Sequence, residues 1–408
     1  MSDTSAPADR ARHAVVAASW FDGERLHAAG PTTLLVTDGQ LAELREGDHA
    51  QALAGAGWPV ERVPFLMPGI VDAHVHLFLD GAPTAQAERA AHLKKPLALL
   101  TDAARRSARQ NLAAGVTLVR DAGDRHGINN TVRAEARDAT AGMARVRSGG
   151  LGIKRAKRYG AFMAGDVGDA DSIRRSVREL AAANDEIKLI LTGIIDFDAG
   201  AVTDEPQFDA EAARLVVQTA HECGRKVFAH CSGSKGLAVA VAAGVDAVEH
   251  GFFMTREHLA RMRDAALAWT PTFCPVHFQW AQPQAVGWRA QTVGNLRRIL
   301  DQHAEHVRAA DAMGVPLLLG TDAGSMGVVH GHAVADEADR MQEAGLSVAA
   351  VLRAATAAPR RHFGHVRPLL QPGAPWEAVA LQASPFDGGP VSRALRQVQR
   401  VWLAGDAG

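Results

Sequence analysis

Cysteine is scarce, and the three present (Cys223, Cys231 and Cys274) show no CxxC spacing and cannot all pair. That excludes a disulfide framework and points to free thiols in a reducing compartment. No run of about 18 apolar residues occurs, and the polar, charged start from Met1 to Arg12 lacks the apolar core of a signal peptide. Neither a membrane span nor a secretory leader is expected, so the chain reads as cytoplasmic. An excess of one charge is missing too: 44 Lys and Arg stand against 45 Asp and Glu. Nucleic acid and membrane surfaces are therefore not called for as obligatory partners. A small-molecule substrate is the expected partner, and homo-oligomerisation is left open.

What is present is apolar material: 47% of 408 residues, enough for one large core and a smaller second one. Val15 to Leu26 and Thr32 to Leu44 read as short strands broken by turns at Asp22-Gly23 and Asp38-Gly39. Ala378 to Leu381 and Val398 to Leu403 are further short strand candidates near the other end. Between them the pattern repeats strand then helix. Strands are expected at Met67 to His76, Gly115 to Asp121, Ala144 to Ser148, Glu186 to Leu191, Lys226 to His230, Ala247 to His250, Leu267 to Thr270 and Pro316 to Asp322. Segments such as Asp171 to Ala183, Ala210 to Cys223 and Ser234 to Ala243 have helical composition and spacing. Eight such units favour an α/β fold, a (β/α)8 TIM barrel, whose chemistry sits at the C-terminal ends of its strands.

Polar residues gather at those ends. In His74-Val75-His76 the period of two sends both imidazoles to one side of the strand. His230, His250 and Asp322 each close another apolar run. Any one of them alone reads as a satisfied core or rim residue. Together they would crowd desolvated polar groups at one barrel mouth, and a divalent metal supplies the missing partner. Lys188 lies opposite Ile187 and Leu189 in Glu186 to Leu191, so it points inward if those two pack against helices. Burial beside cations drives an ammonium towards the neutral amine. That amine can take up carbon dioxide, and the resulting carbamate is an anion able to bridge two metals; the plainer alternative is a lysine snorkelling from the strand rim.

His74-x-His76, Lys188, His230, His250 and Asp322, with Pro68 to Asp72 ahead of them, resemble the amidohydrolase superfamily in its binuclear, carbamylated-lysine form. The ordered phrases Gly115 to Gly123, Glu249-His250-Gly251, Pro271-Thr272 and Gly320 to Gly324 are most similar to the group with imidazolonepropionases, prolidase-like dipeptidases and ochratoxin-type amide hydrolases. The resemblance implies that His74, His76 and Asp322 bind one divalent ion and that His230 and His250 bind a second. Carbamylated Lys188 and a hydroxide would bridge them, and Asp322 would move the proton to the leaving nitrogen. Zinc is the expected metal. The resemblance also supports joining residues 1–64 and 370–408 in a small β-sandwich beside a catalytic barrel of residues 65–369.

The family pattern is not complete. The peptide-cleaving relatives carry tyrosine two residues after the fifth-strand histidine and a Gly-Gly-His phrase after strand three; here Ser232 and Leu151 stand in those places. The glutamate of the deaminase-like relatives is absent from Cys231 to Ser234, and Trp376-Glu377 replaces the usual Ala-Asp pair before the returning strand. Among the remaining features, the basic run Lys154 to Arg158 and Tyr159, the only tyrosine, fall in the third strand-to-helix connection, where a solvated loop or an anion-holding segment is expected. Phe252, Phe253, Phe273, Phe278 and Trp280 follow strands six and seven and read as an apolar pocket wall. His330, in a second HxH with His332, reads as a rim residue.

The resulting expectation is a metal-dependent hydrolase of an amide, anilide or carbamate C–N bond in a partly apolar molecule, with His250 and Asp322 catalytic. Tyr159, Ser232, Phe252, Phe253, Phe273 and His330 are the expected substrate-binding residues. The alternatives are an Xaa-Pro or Xaa-Arg/Lys dipeptidase and a non-catalytic scaffold that keeps the barrel alone.

Overall fold

The computed structural model describes residues 12–365 and 369–404; the polar start from Met1 lies almost wholly outside them. Seven barrel strands stand where the apolar runs place them: Ile70–Val75, Val116–Asp121, Arg145–Ser148, Glu186–Ile190, Lys226–Cys231, Ala247–His250 and Ala268–Thr270. Neighbours pair in parallel from the first to the third and from the fourth to the seventh. The expected eighth strand, Pro316 to Asp322, is not a regular strand, but its backbone closes the ring. Trp269 N donates to Pro316 O, Ala73 N to Leu319 O and Asp322 N to His74 O. Closure is tight at Gly320, where a Cβ would lie 2.4 Å from Thr270 and 2.9 Å from His74 N, so only glycine lets the segment approach the first strand.

Helices cover the outside with their apolar stripes inward. Ala170–Ala183 buries Ile173, Val177 and Ala181, and its first turn is capped by Asp169 accepting from Ser172 N at 2.9 Å. Ala210–Glu222 starts the same way on Asp209. None of the described helices is long and apolar enough to cross a membrane.

The connection between strands three and four departs from the expected loop. Gly152–Arg155 and Ala164–Val167 are short strands paired in parallel, the former also bridged to Leu189 of the fourth barrel strand. The basic run thus starts inside a strand. Lys154 is buried against Asp166, and Arg155 lies over the Phe208 ring at 4.5 Å.

The two ends of the chain meet. Where a β-sandwich is expected, their strands join in one continuous seven-stranded sheet ordered Val398–Trp402, Ala378–Leu381, Val60–Pro68, Arg12–Phe21, Thr32–Thr37 and Gln40–Glu46, with Leu26–His27 beside Arg12–Phe21. Val60–Pro68 crosses the expected boundary at 64/65 and occupies the centre, parallel to Arg12–Phe21 on one side and antiparallel to Ala378–Leu381 on the other. Its end divides by alternation: Leu66 joins an apolar cluster with Val15, Leu34 and Trp376, while Phe65 and Met67 on either side of it join the core of the barrel.

Candidate metal centre and substrate cavity

The period of two brings His74 and His76 to one side of the first strand, with ring centroids 5.6 Å apart. From the closing segment, Asp322 Oδ1 lies 3.7 Å from the Nε2 of each. Nitrogen and oxygen ligands held about 2 Å from one ion sit roughly 3–4 Å from each other, so this trio can share a cation where it stands. The His250 ring is 5.0 Å from that of His74 and 4.6 Å from that of His230, which continues the chain of imidazoles. Lys188 projects among them from the fourth strand. It is fully buried, and its Nζ lies 4.9 Å from the Phe228 ring without a hydrogen-bond partner. Ile187 and Leu189 pack on the opposite side, in the core under the helices.

Burial, with the Lys188 charge beside it, holds the imidazoles of His76 and His230 down to about 3. Burial and the neighbouring cations lower His74 and His250 as well. All four are therefore neutral, the form that binds metal. Burial also pushes Lys188 down to about 8 and Asp322 up to about 7.

Each ring is aimed by its other edge. His74 Nδ1 donates to Glu249 Oε2 at 2.6 Å, His76 Nδ1 donates to Gly123 O at 3.1 Å, and His250 Nδ1 pairs with Thr272 Oγ1 at 2.8 Å. His230 bonds the Gly193 backbone. In His74, His76 and His250 this leaves Nε2 free, and that of His74 is buried with no partner. Glu249 is fully buried and holds Arg120 with its second oxygen, Arg120 Nη2 donating at 2.6 Å. Asp72 accepts from Thr321 Oγ1 at 2.6 Å and Thr321 N at 2.9 Å, fixing the residue before Asp322. Three site residues, His250, Thr272 and Asp322, have φ of 66°, 50° and 56°. Each costs roughly 1–2 kcal/mol of left-handed backbone that the surrounding contacts sustain.

Sequence reasoning passed over Glu249, Arg120 and Asp72 as site residues. Their signal was an ionisable residue at a barrel-strand position, which cannot be buried without a partner.

Above the cluster lies a cavity of about 290 Å³. His76, His230, His250 and Asp322 form part of its lining, and Tyr159, Ser232 and Phe252 line it as expected. The other three expected wall residues do not. Phe253 turns back into the core at φ 65°. Phe273 is buried edge-on to His303 at 4.7 Å, and its N–H donates to Glu337. His330 is buried behind the first strand, bonding Leu79 O at 3.3 Å and Asn111 at 3.5 Å. Phe278 and Trp280 are absent from the lining as well. Their places are taken by Arg89, Phe162, Met163, Phe197, Val276 and Gln279. Arg89 sits on Gln86–Leu93 and donates to the carbonyls of Asp80 at 2.9 Å and Gly324 at 3.0 Å.

A family model described as "Amidohydrolase family" matches residues 65–405. An uncharacterised protein of Mycobacterium bovis is 27% identical over 374 residues, 89% of this chain and 91% of that protein. The ochratoxinase of Aspergillus niger is 24% identical over 427 residues, 94% of this chain and 83% of that protein; its crystal structure superposes with a TM-score of 0.79 at 21% identity, covering 97% and 94%. A crystal structure of an Xaa-Pro dipeptidase with bound methionine has a TM-score of 0.78 at 21% identity, covering 97% of this chain and 98% of that one. These likenesses bear out the barrel and the expected group.

Proposed function

Because this chain belongs to the amidohydrolase family, we propose that it is a metal-dependent hydrolase of an amide-type C–N bond (amide, anilide or carbamate) in a small, partly apolar molecule. The observation that carries the reading is the convergence of His74, His76 and Asp322 with two buried, unpartnered nitrogens, His74 Nε2 and Lys188 Nζ, in one cluster. Polar atoms left so are costly unless something binds them. His74, His76 and Asp322 would hold one divalent cation, His230 and His250 a second, with Lys188 as its carbamate between them; zinc suits this nitrogen and oxygen set. When bound, the cations supply a water acidified enough to act near neutral pH and polarise the substrate carbonyl.

The chain's own residues do the rest. Asp322, partly open to the cavity and within reach of both histidines, takes one proton of the attacking water and delivers it to the leaving nitrogen. The water oxygen forms the new bond to the carbonyl carbon, the C–N bond breaks, and no oxidant or reductant is needed. Phe162, Phe197, Phe252 and Met163 offer the apolar part of the substrate a dry surface. Hydrophobic N-acyl, anilide and carbamate compounds should therefore be cleaved faster than unblocked dipeptides ending in proline, arginine or lysine.

Arg89 favours a second reading, an Xaa-Pro or Xaa-Arg/Lys dipeptidase, because a cation in the cavity wall can pair with a dipeptide carboxylate. One experiment separates the two. Elemental analysis should find about two divalent ions per chain, chelation should abolish turnover, and adding metal back should restore it. On the restored enzyme, kcat/KM is compared across both substrate sets. A roughly tenfold preference for the dipeptides would move the assignment to the peptidase, and a metal-free chain with full activity would remove the metal mechanism.

A further inference from the structure

Resting on that hydrolase reading, we propose that Tyr159 is a catalytic residue whose hydroxyl donates a hydrogen bond to the carbonyl oxygen as negative charge gathers on it. Hydrolysis of an amide-type bond builds charge on that oxygen, and a donor aimed there in a dry site is among the largest contributions an enzyme makes. The cavity wall holds few side chains free to be that donor. Thr272 pairs with His250 and Ser325 with the Asp322 carboxyl, while Gln279 takes the Trp288 N–H on its Oε1 at 3.0 Å and keeps its amide nitrogen as a competing donor. Arg89 is held by the carbonyls of Asp80, Pro83 and Gly324 through its two terminal nitrogens, which keeps its remaining N–H groups for a substrate carboxylate rather than the scissile carbonyl. Two hydroxyls remain without a bond among the described residues, those of Ser232 and Tyr159.

Position favours Tyr159. Its ring packs 5.2 Å from the ring of His230 and 6.1 Å from Phe162, which places the phenol beside the outer end of the imidazole chain. Ser232 is short and almost wholly buried, and its N–H is anchored to Thr192 Oγ1 at 3.1 Å. The segment bearing Tyr159 is also tied down. Gln207 Nε2 donates to Tyr159 O at 3.1 Å, Gln207 Oε1 accepts from Arg155 N at 3.0 Å, and Gln207 N donates to Leu191 O at 2.7 Å. One glutamine thus locks the excursion between strands three and four onto the end of the fourth strand, which carries Lys188. A donor fixed before the reaction costs no reorganisation during it.

Tyr159→Phe keeps the ring and its packing and deletes one oxygen. The test uses metal-loaded wild type and variant on whichever panel compound the wild type cleaves fastest. It also measures, by calorimetry, binding of the methylphosphonamidate in which tetrahedral phosphorus replaces the scissile carbonyl carbon. The expected result is a loss on the order of a hundredfold in kcat with KM nearly unchanged. Affinity for the phosphonamidate should fall by a similar factor, while metal content, melting temperature and affinity for the product amine stay at wild-type values. Wild-type kcat in the variant, or a loss shared equally by phosphonamidate and product binding, overturns the proposal. So does a Ser232→Ala variant that carries the whole loss itself. A wild-type chain that cleaves no compound of the panel removes the hydrolase reading and this proposal with it, an outcome distinct from an active wild type with an equally active Tyr159→Phe.

Discussion

His74, His230 and His250 hang from barrel strands, and His76 and Asp322 sit directly on strand-like backbone at the same mouth. The residues that wall the cavity come instead from the connections between strands: Arg89 on a helix after the first, Tyr159 and Phe162 in the excursion after the third, Phe197 in the loop after the fourth, Gln279 on a helix after the seventh. The two regions differ in what fixes them. A strand-borne side chain takes its direction mainly from the pleat and its height from parallel register, both short-range and regular, with left-handed backbone only at His250 and Asp322 where the strands end. A wall residue depends on where a loop turns, and here Phe253 at φ 65° and Thr272 at φ 50° redirect the chain between neighbouring positions. The cluster should therefore respond to single substitutions as a unit, and the wall as separable pieces.

The largest effect is expected at the centre of the cluster. Lys188→Ala should reduce the bound metal below two ions per chain and cost at least about a thousandfold in kcat, whereas Lys188→Glu should keep part of both through its carboxylate. Metal analysis and kinetics on the same samples check this. An alanine variant with two ions and a wild-type rate would show that the cluster does not act as a unit.

A smaller loss belongs to the groups that aim the ligands. Glu249→Gln keeps the volume but weakens the hold on His74 Nδ1 and leaves Arg120 facing a neutral amide. Metal affinity should fall by about 10–100-fold. Stability should drop as well, because a fully buried guanidinium loses its closest anion. Metal titration and chemical denaturation, run on the same variant, separate the two effects.

The smallest effect concerns the wall. Glu337 is buried and accepts from Phe273 N at 2.8 Å and Cys274 N at 2.9 Å, anchoring the start of the helix Cys274–Ala281 that carries Val276 and Gln279. Burial pushes its carboxyl from an ordinary 4.5 up to about 7. The folded state thus binds this proton more tightly than the unfolded chain does, so stability falls as pH rises from about 4.5 to 7 and levels off above. The span corresponds to up to about 3 kcal/mol. Glu337→Gln should lose that dependence, gaining on the wild type as pH rises through the window, with little change in metal content. Parallel pH-dependent unfolding curves for the two proteins would contradict this.

Apolar runs of strand length and a period of two are local properties of a chain, and here they were enough to lay out the ring of strands and the side chains of the candidate metal centre. They carried Lys188 inward through nothing more than its alternation with Ile187 and Leu189. Four matters instead rested on contacts between distant segments. The closing segment Pro316 to Asp322 makes few regular pairs yet seals the barrel, because Gly320 admits the first strand at close range. Val60–Pro68 became the centre of the terminal sheet because strands from both ends of the chain reached its two edges. Glu249, Arg120 and Asp72 became the support of the centre only when burial forced each to find a partner far along the chain. In the wall, Phe253, Phe273 and His330 went to the core while Arg89, Phe162 and Phe197 came to the cavity, since a loop's direction is set by contacts between segments that no local period encodes.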